Sequence, residues 1–220
     1  MKNYESDIVI RDVEVKVSRE EVFQMLGCTP ESASYEAVEE LYEELLDEAV
    51  SVMEPVLLIR FGRIPDGYPM LPLQPGTEVL YTMGSIGREI SRRSTEAFAQ
   101  GDPLAGMLIN AIADSALFHL DGELALVLKE ACGKRGKGIL KRLEAPQDLP
   151  MEAQLLVYRE TEAGRICGME ISSGYMLDPV KSSANVYLLT DDAQVFQAQH
   201  DCSTCTRKNC SLRKSKTESR

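Results

Sequence analysis

The N-terminal residues combine a strand pattern with a helix pattern. From Ile8 to Val17 apolar and polar residues alternate (IVIRDVEVKV), and this period of two is typical of a β-strand with one buried face. Ser18 and Glu21 then stand at the spacing of a capping box, which predicts a short helix ending at Gly27. The pattern therefore predicts a strand followed directly by a helix within residues 1–33.

Helical periodicity dominates the next hundred residues. Apolar side chains recur at spacings of three and four from Ser34 to Met53, from about Ser85 to Gln100, and from Pro103 to about Ala131. The last stretch is rich in Ala, Leu and Ile and is expected to be the central core helix. His119 lies within it, where a histidine is more often a packed core side chain than a ligand.

Short apolar runs bounded by turn residues predict several strands. They are VLLIRF after Pro55, Glu78–Gly84, Cys167–Ser172 and Asn185–Thr190, and one more helix is predicted from Pro150 to about Thr161. Because strands and helices do not alternate regularly, the order of elements favours an α+β fold over a doubly wound sheet.

Charge and hydropathy argue against several classes of protein. The 220 residues carry a formal net charge of −11, which argues against a nucleic-acid-binding protein because phosphates need a basic footprint. No apolar run approaches the ~18 residues of a membrane span, and the N-terminus is too polar for a signal peptide. We therefore expect a cytoplasmic protein without a membrane partner. The segment 207–220 is basic against this acidic background.

The cysteines divide into two groups. Three of the six are isolated in periodic segments and are expected to be buried thiols, while Cys202, Cys205 and Cys210 lie close together after His200. The spacing suits zinc with His200 as fourth ligand, or an iron–sulfur cluster with an outside ligand. A flexible tail with redox-labile thiols is the third interpretation. The sequence thus predicts a domain over residues 1–195 and a Cys-rich basic tail over residues 196–220.

Four segments together resemble a known protein family. They are Ser18–Gly27, Tyr81–Gly87 with the two helices after it, Gly174–Ser182 with the strand after it, and the tail Cys202–Arg213. In this order they resemble the short, free-standing relatives of the activation domain of cobalamin (vitamin B12)-dependent methionine synthase. That resemblance implies a C-shaped single α+β domain with a mixed or antiparallel sheet and long helices. It also implies binding of S-adenosylmethionine and closure over the corrin of a cobalamin-binding partner, where the domain supports reductive remethylation.

The resemblance further implies which residues bind the cofactor. The family's Arg-Pro-x-Pro-Gly-Tyr-Pro run corresponds here to Arg142–Pro150, which keeps the arginine and a proline but lacks the Gly-Tyr pair. An S-adenosylmethionine site needs a cation for the carboxylate, acidic or carbonyl groups near two positive centres, and an apolar or aromatic wall. The predicted cofactor-binding residues are accordingly Arg142, Tyr175, Glu123, Lys181 and Ser182, with Asp114 and Asp121 as further acidic candidates.

Two functions remain open at this level. The first is an accessory subunit of a cobalamin-dependent methyltransferase system, which works with a cobalamin-binding protein or methyltransferase subunit and an electron donor. The second is a non-catalytic docking module for a corrinoid protein, with a metal- or iron–sulfur-binding tail. A surface tyrosine at a strand end explains Tyr175 equally well, and a turn leading into a strand explains Lys181 and Ser182 equally well. The missing Gly-Tyr pair after Arg142 favours the second function, whereas the layout of the remaining segments favours the first.

Overall fold

An antiparallel sheet of five strands forms the centre of the protein. The computed structural model describes residues 7–11, 13–68 and 71–213. Its strands are β1 (Asp7–Arg11), β2 (Val56–Arg63), β3 (Glu78–Ser85), β4 (Gly138–Glu144) and β7 (Ser182–Thr190). They lie in the order β1-β2-β3-β7-β4, and each neighbouring pair is antiparallel.

Helices cover one face of the sheet, and a smaller layer covers the other. The first face packs against α1 (Arg19–Leu26), α2 (Tyr35–Ser51), α3 (Glu89–Ala99) and α4 (Pro103–Gly133). The second packs against α5 (Ala153–Glu160), α6 (Ala163–Cys167) and the hairpin of β5 (Glu170–Ile171) and β6 (Leu177–Asp178). The predicted α+β class is confirmed.

Strand β2 is buried on both faces. Leu57 and Ile59 join the core under α1 to α4, whereas Val56 and Leu58 join the core under α5. A strand enclosed on both sides reads as a continuous apolar run rather than as an alternating one. This explains why VLLIRF shows no polar face in the sequence.

The predicted capping box forms with help from the core helix. The Glu21 amide donates to Ser18 Oγ at 3.3 Å, as expected of an N-cap. In a capping box the glutamate side chain also accepts from the N-cap amide. Here Ser115 stands between the two groups: the Ser18 amide donates to Ser115 Oγ at 2.9 Å, and that hydroxyl donates to Glu21 Oε2 at 2.8 Å. Ser115 belongs to α4, so this network fixes α1 against α4.

Two strand predictions differ from the structure at their ends. Strand β1 pairs only as far as Arg11, because its partner β2 begins at Val56, directly opposite. Residues 13–17 continue the alternation of half-buried and exposed side chains without a neighbouring strand. The predicted strand Cys167–Ser172 is mostly wrong, since α6 extends to Cys167 and Gly168, with φ 64°, ends it.

Strand β4 has no counterpart among the sequence predictions. Its sequence, GILKRLE, lacks a clean alternation because the register shifts between Ile139 and Lys141. Such a bulge moves the following side chains to the opposite face and breaks the period of two. The structure therefore places Arg142 on a strand, where the sequence suggested only the start of a proline-rich run.

The central helix α4 begins at Pro103 as predicted and ends at Gly133, close to the predicted end near Ala131. Among the described residues α4 is the one helix long and apolar enough to span a membrane, with a mean hydropathy of 1.3 over an 18-residue window. Of that window, 56% is buried inside the fold. A buried core helix of a globular domain has the same composition.

Candidate functional site on the α4 face

One face of α4 carries two acidic residues on either side of an exposed aromatic ring. Asp114, Phe118 and Asp121 follow one another at spacings of four and three, which places them on one side of the helix. The two carboxylates are separated by two turns, roughly 10 Å along the axis. Phe118 is 48% exposed between them. We call these three residues the α4 face.

Each carboxylate of the α4 face holds a cation from the sheet side. Lys181, just before β7, places Nζ 2.6 Å from Asp114 Oδ1, and Arg142 of β4 donates to Asp121 Oδ2 through Nη1. Both cations are well enclosed, with side chains 12% and 9% exposed. An ion pair between a carboxylate and a cation therefore lies at each end of the α4 face.

The sheet fixes the position of Arg142. Arg142 lies opposite Tyr187 in the β4–β7 register, and both side chains face α4. Burial acts to lower the pKa of the Arg142 guanidinium, but Tyr187 and the carboxylates of Asp121 and Glu144 outweigh it, so the pKa is raised overall. Arg142 is therefore a permanent, oriented cation at this site.

Asp121 retains an unused acceptor. Its Oδ2 binds Arg142, but its Oδ1 is buried and has no hydrogen-bond partner among the described residues. The amide Nδ2 of Asn185 on β7, a residue 3% exposed, likewise has no partner in the described part of the chain. Buried polar atoms normally have partners, so unsatisfied ones indicate a place for a ligand or for water.

At the start of β7, the neighbouring side chains of Lys181 and Ser182 contact different parts of the fold. Lys181 reaches α4, where Nζ also lies 3.5 Å from the Asn110 carbonyl oxygen. Ser182 instead donates from Oγ to the Pro179 carbonyl at 2.7 Å and lies 2.9 Å from Ser85 Oγ. Of these two predicted site residues, the structure brings Lys181 to the α4 face and engages Ser182 in the start of β7.

Two other predicted site residues lie elsewhere. Glu123 is two residues beyond Asp121, about 200° around the helix, and its carboxylate lies 3.9 Å from His119 Nε2. Tyr175 occupies the turn of the β5–β6 hairpin with φ 63°, on the side of the sheet that packs against α5. Neither belongs to the group formed by Asp114, Asp121 and their cations.

The C-terminal cysteines lie on a segment organised by one arginine. Arg213 Nη2 donates to the carbonyl oxygens of Cys202 at 2.7 Å and Cys205 at 2.9 Å, and its amide donates to the Cys210 carbonyl at 3.2 Å. Hydrogen bonds from Ser203 and Thr204 lower the pKa of Asp201 to about 2. We call residues 201–213 the cysteine knuckle.

The arrangement of the cysteine knuckle does not fit the predicted metal. Across residues 7–11, 13–68 and 71–213, no group of three or more His, Cys, Asp or Glu side chains is placed to hold a metal ion. His200, the predicted fourth ligand, instead has Nδ1 2.8 Å from Glu144 Oε1.

A groove of about 1290 Å³ separates β4 from the chain after β7. It is lined by Arg142 and Glu144 on the strand side and by His200, Cys202 and Arg213 on the other. Arg142 and part of the cysteine knuckle therefore line the same groove. Tyr175 does not line it.

The comparisons with known proteins agree with this architecture. No protein-family model and no curated protein sequence matches the chain. Among solved structures, the crystal structure of the MetH reactivation domain bound to AdoHcy matches with a TM-score of 0.60, covering 89% of this chain and 82% of that chain. The chain has the fold of the MetH reactivation domain. The sequence identity is 10%, so the match establishes the fold alone.

Within this fold, some residues of the candidate site had been predicted from the sequence and others had not. Arg142, Lys181 and the two aspartates were among the sequence candidates, and the structure brings them together. Phe118, Glu144 and the contact with His200 were missed. Phe118 could have been found as the aromatic residue on the helix side that carries Asp114 and Asp121. The contact between Glu144 and His200 spans 56 residues, and no sequence pattern signals it.

Proposed function

We propose that this chain binds S-adenosylmethionine on the α4 face and acts in the cytoplasm as a reactivation subunit of a cobalamin-dependent methyl-transfer system. The observation that carries the proposal is the pair of ion pairs, Asp114–Lys181 and Asp121–Arg142, that flanks exposed Phe118. They occur in a fold shared with a domain whose solved structure is bound to AdoHcy.

The residues of the α4 face match the chemical groups of S-adenosylmethionine. Arg142 and Lys181 offer donors to the carboxylate, and Arg142 presents the planar fork suited to that group. The buried Oδ1 of Asp121, which has no hydrogen-bond partner among the described residues, offers an acceptor to the ammonium or a negative neighbour to the sulfonium. The ring of Phe118 offers a stacking surface for the adenine. S-adenosylmethionine supplies the methyl group, and the chain binds and orients it.

An exposed apolar surface borders the same site and supports a corrinoid partner. Phe118 on α4 is 48% exposed, and Val180, directly before Lys181, is 60% exposed. The contact of Lys181 with Asp114 holds the end of the loop before β7 against α4. Exposed apolar side chains grouped around a site are typical of an interaction surface. In our proposal this surface closes over the corrin of a cobalamin-binding protein or methyltransferase subunit.

The proposed reaction also implies an electron donor. Reductive remethylation of the corrinoid cobalt consumes one electron in addition to the methyl group. The proposal therefore includes a separate electron-donating partner, and the binding site for S-adenosylmethionine remains the part assigned to this chain.

Calorimetric titration of S-adenosylmethionine and AdoHcy into the full chain tests the proposal. Asp121→Asn should weaken binding about tenfold, because a hydrogen bond to a charged group contributes about 1.5–3 kcal/mol and 1.4 kcal/mol is tenfold. Arg142→Lys should weaken it as well, since lysine cannot reproduce the bidentate fork. Glu123→Gln, on another side of α4, should bind like the wild type.

A docking module without S-adenosylmethionine is the second candidate function. Two observations favour it: the run Arg142–Pro150 lacks the Gly-Tyr pair, and Arg142 already contacts the carboxylates of both Asp121 and Glu144. If millimolar S-adenosylmethionine and AdoHcy give no heat while a corrinoid protein loaded with hydroxocobalamin still binds the chain, this function replaces the first.

A further inference from the structure

The chain after β7 returns to the edge of the sheet next to Arg142. The Ile139 amide donates to the Val195 carbonyl at 2.8 Å, and the Gln197 amide donates to the Ile139 carbonyl at 2.9 Å. These bonds form a short parallel bridge between Ile139 and Phe196, after which Ala198 is 2% exposed. The segment 195–200 is thus anchored along β4 before the cysteine knuckle begins.

This anchoring brings His200 into a continuous chain of polar contacts. His200 Nδ1 lies 2.8 Å from Glu144 Oε1, and the same oxygen lies 2.9 Å from Arg142 Nε. The other edge of the guanidinium donates from Nη1 to Asp121 Oδ2 on α4. A single carboxylate oxygen therefore connects the C-terminal segment to the cation of the α4 face.

The geometry gives Glu144 and His200 a definite mechanical effect. The Glu144 carboxylate beside Nε attracts the guanidinium by its charge and so favours the orientation in which Nη1 reaches Asp121. Glu144 Oε1 lies beside Nε as an ion-pair partner, while the Nε–H itself has no hydrogen-bond partner among the described residues and Nη1 is directed at Asp121 on α4. His200 in turn holds the Glu144 side chain, which is 24% exposed and would otherwise sample other rotamers.

We propose that His200 and Glu144 are positioning residues for Arg142, so that the C-terminal segment is a structural part of the ligand site. This inference rests on the proposed function, because it assigns the orientation of a residue that binds S-adenosylmethionine. It also accounts for the disagreement with the metal prediction. The imidazole of His200 is directed at Glu144 and not at the cysteines that follow it.

The first test compares three variants by calorimetric titration of AdoHcy into the full chain. His200→Ala should weaken binding about fivefold to twentyfold, the effect expected when a supporting contact of a binding residue is lost. His200→Asn should restore binding to within about threefold, because its amide nitrogen stands where Nδ1 stood. Gln199→Ala, an exposed neighbour on the same segment, should bind like the wild type. Unchanged affinity in His200→Ala, or no rescue by His200→Asn, overturns the proposal.

The second test needs no ligand and separates this inference from the proposed function. The Nε–H signal of Arg142 is assigned in 15N-labelled protein through its loss in Arg142→Lys, and its hydrogen exchange is measured. Exchange should be at least about fivefold faster in His200→Ala and close to the wild-type rate in His200→Asn and Gln199→Ala. If the wild type does not bind AdoHcy but the exchange pattern holds, the proposed function fails and the positioning stands. Equal exchange in His200→Ala and wild type overturns the positioning.

Discussion

Lys181 Nζ lies 2.6 Å from Asp114 Oδ1, and this contact holds the loop that precedes β7 against the middle of α4. The two residues are 67 positions apart in the sequence. The lysine side chain is 12% exposed, so its charge is poorly solvated and depends on the carboxylate. The contact thus stabilises the fold and shapes one end of the candidate site.

Replacing Asp114 by Asn should destabilise the protein through Lys181. We expect the free energy of unfolding to fall by about 1–2 kcal/mol, because a partly enclosed ammonium loses its counter-charge. Glu130→Gln on the same helix is the matched control, since the Glu130–Lys134 pair is 70% and 72% exposed and should contribute little to stability. Urea denaturation followed by circular dichroism measures both. Equal losses in the two variants would contradict the role given to Lys181.

Replacing Ser115 by Ala should lower the stability of the protein, although the side chain is small. In Ser115→Ala the Ser18 amide and the Glu21 carboxylate both lose their partner between α1 and α4, which should cost about 1–3 kcal/mol. Ser91→Ala provides the control, because the Ser91 hydroxyl is buried without a hydrogen-bond partner in the described residues and its loss should be nearly neutral. The denaturation midpoints of the two variants should therefore separate, and coincident midpoints would contradict the bridged capping box.

Gly138 lies where the backbone of residues 192–195 passes close to β4. A Cβ atom at this position would approach the Val195 carbonyl oxygen to 2.5 Å and the Asp192 carbonyl oxygen more closely still. Gly138→Ala should therefore destabilise the protein by about 1–3 kcal/mol, as backbone has to move. Gly133→Ala, at the exposed end of α4 with no atom within 4 Å, should be neutral or stabilise by up to about 1 kcal/mol. The thermal unfolding midpoints of the two variants measure this difference. A Gly138→Ala variant as stable as the wild type would contradict the close approach of the backbone of residues 192–195 to β4.

The six cysteines should differ in their reactivity toward alkylation. Burial raises the pKa of the Cys132 thiol to about 11, an effect that Arg135 only partly offsets, so at pH 8 about 0.1% of it is thiolate. The thiols of the cysteine knuckle are only half-buried. Iodoacetamide at pH 8 should modify Cys202, Cys205 and Cys210 first, as read by peptide mass spectrometry. Labelling in 6 M urea provides the control in which Cys132 loses its protection, and early labelling of native Cys132 would refute its burial.

The local patterns of the sequence predicted most of the regular elements. The three long helices and the capping box at Ser18 appear close to their predicted positions, because helical periodicity and cap chemistry act over a few residues. Strand β4 was missed since its bulge at Ile139 breaks the alternation. The strand predicted over Cys167–Ser172 became the end of α6 because Gly168 supplies a left-handed helix end.

The sequence by itself determined the long helices and most of the strands, the α+β class, and the presence of acidic candidates on α4 and of basic candidates at Arg142 and Lys181. Only the tertiary structure decided which of them meet: Arg142 with Asp121, Lys181 with Asp114, and His200 with Glu144 rather than with the cysteines. The physical reason is that such pairs are created by sheet register and by helix packing over tens of residues, whereas sequence patterns report only on neighbours within a few turns.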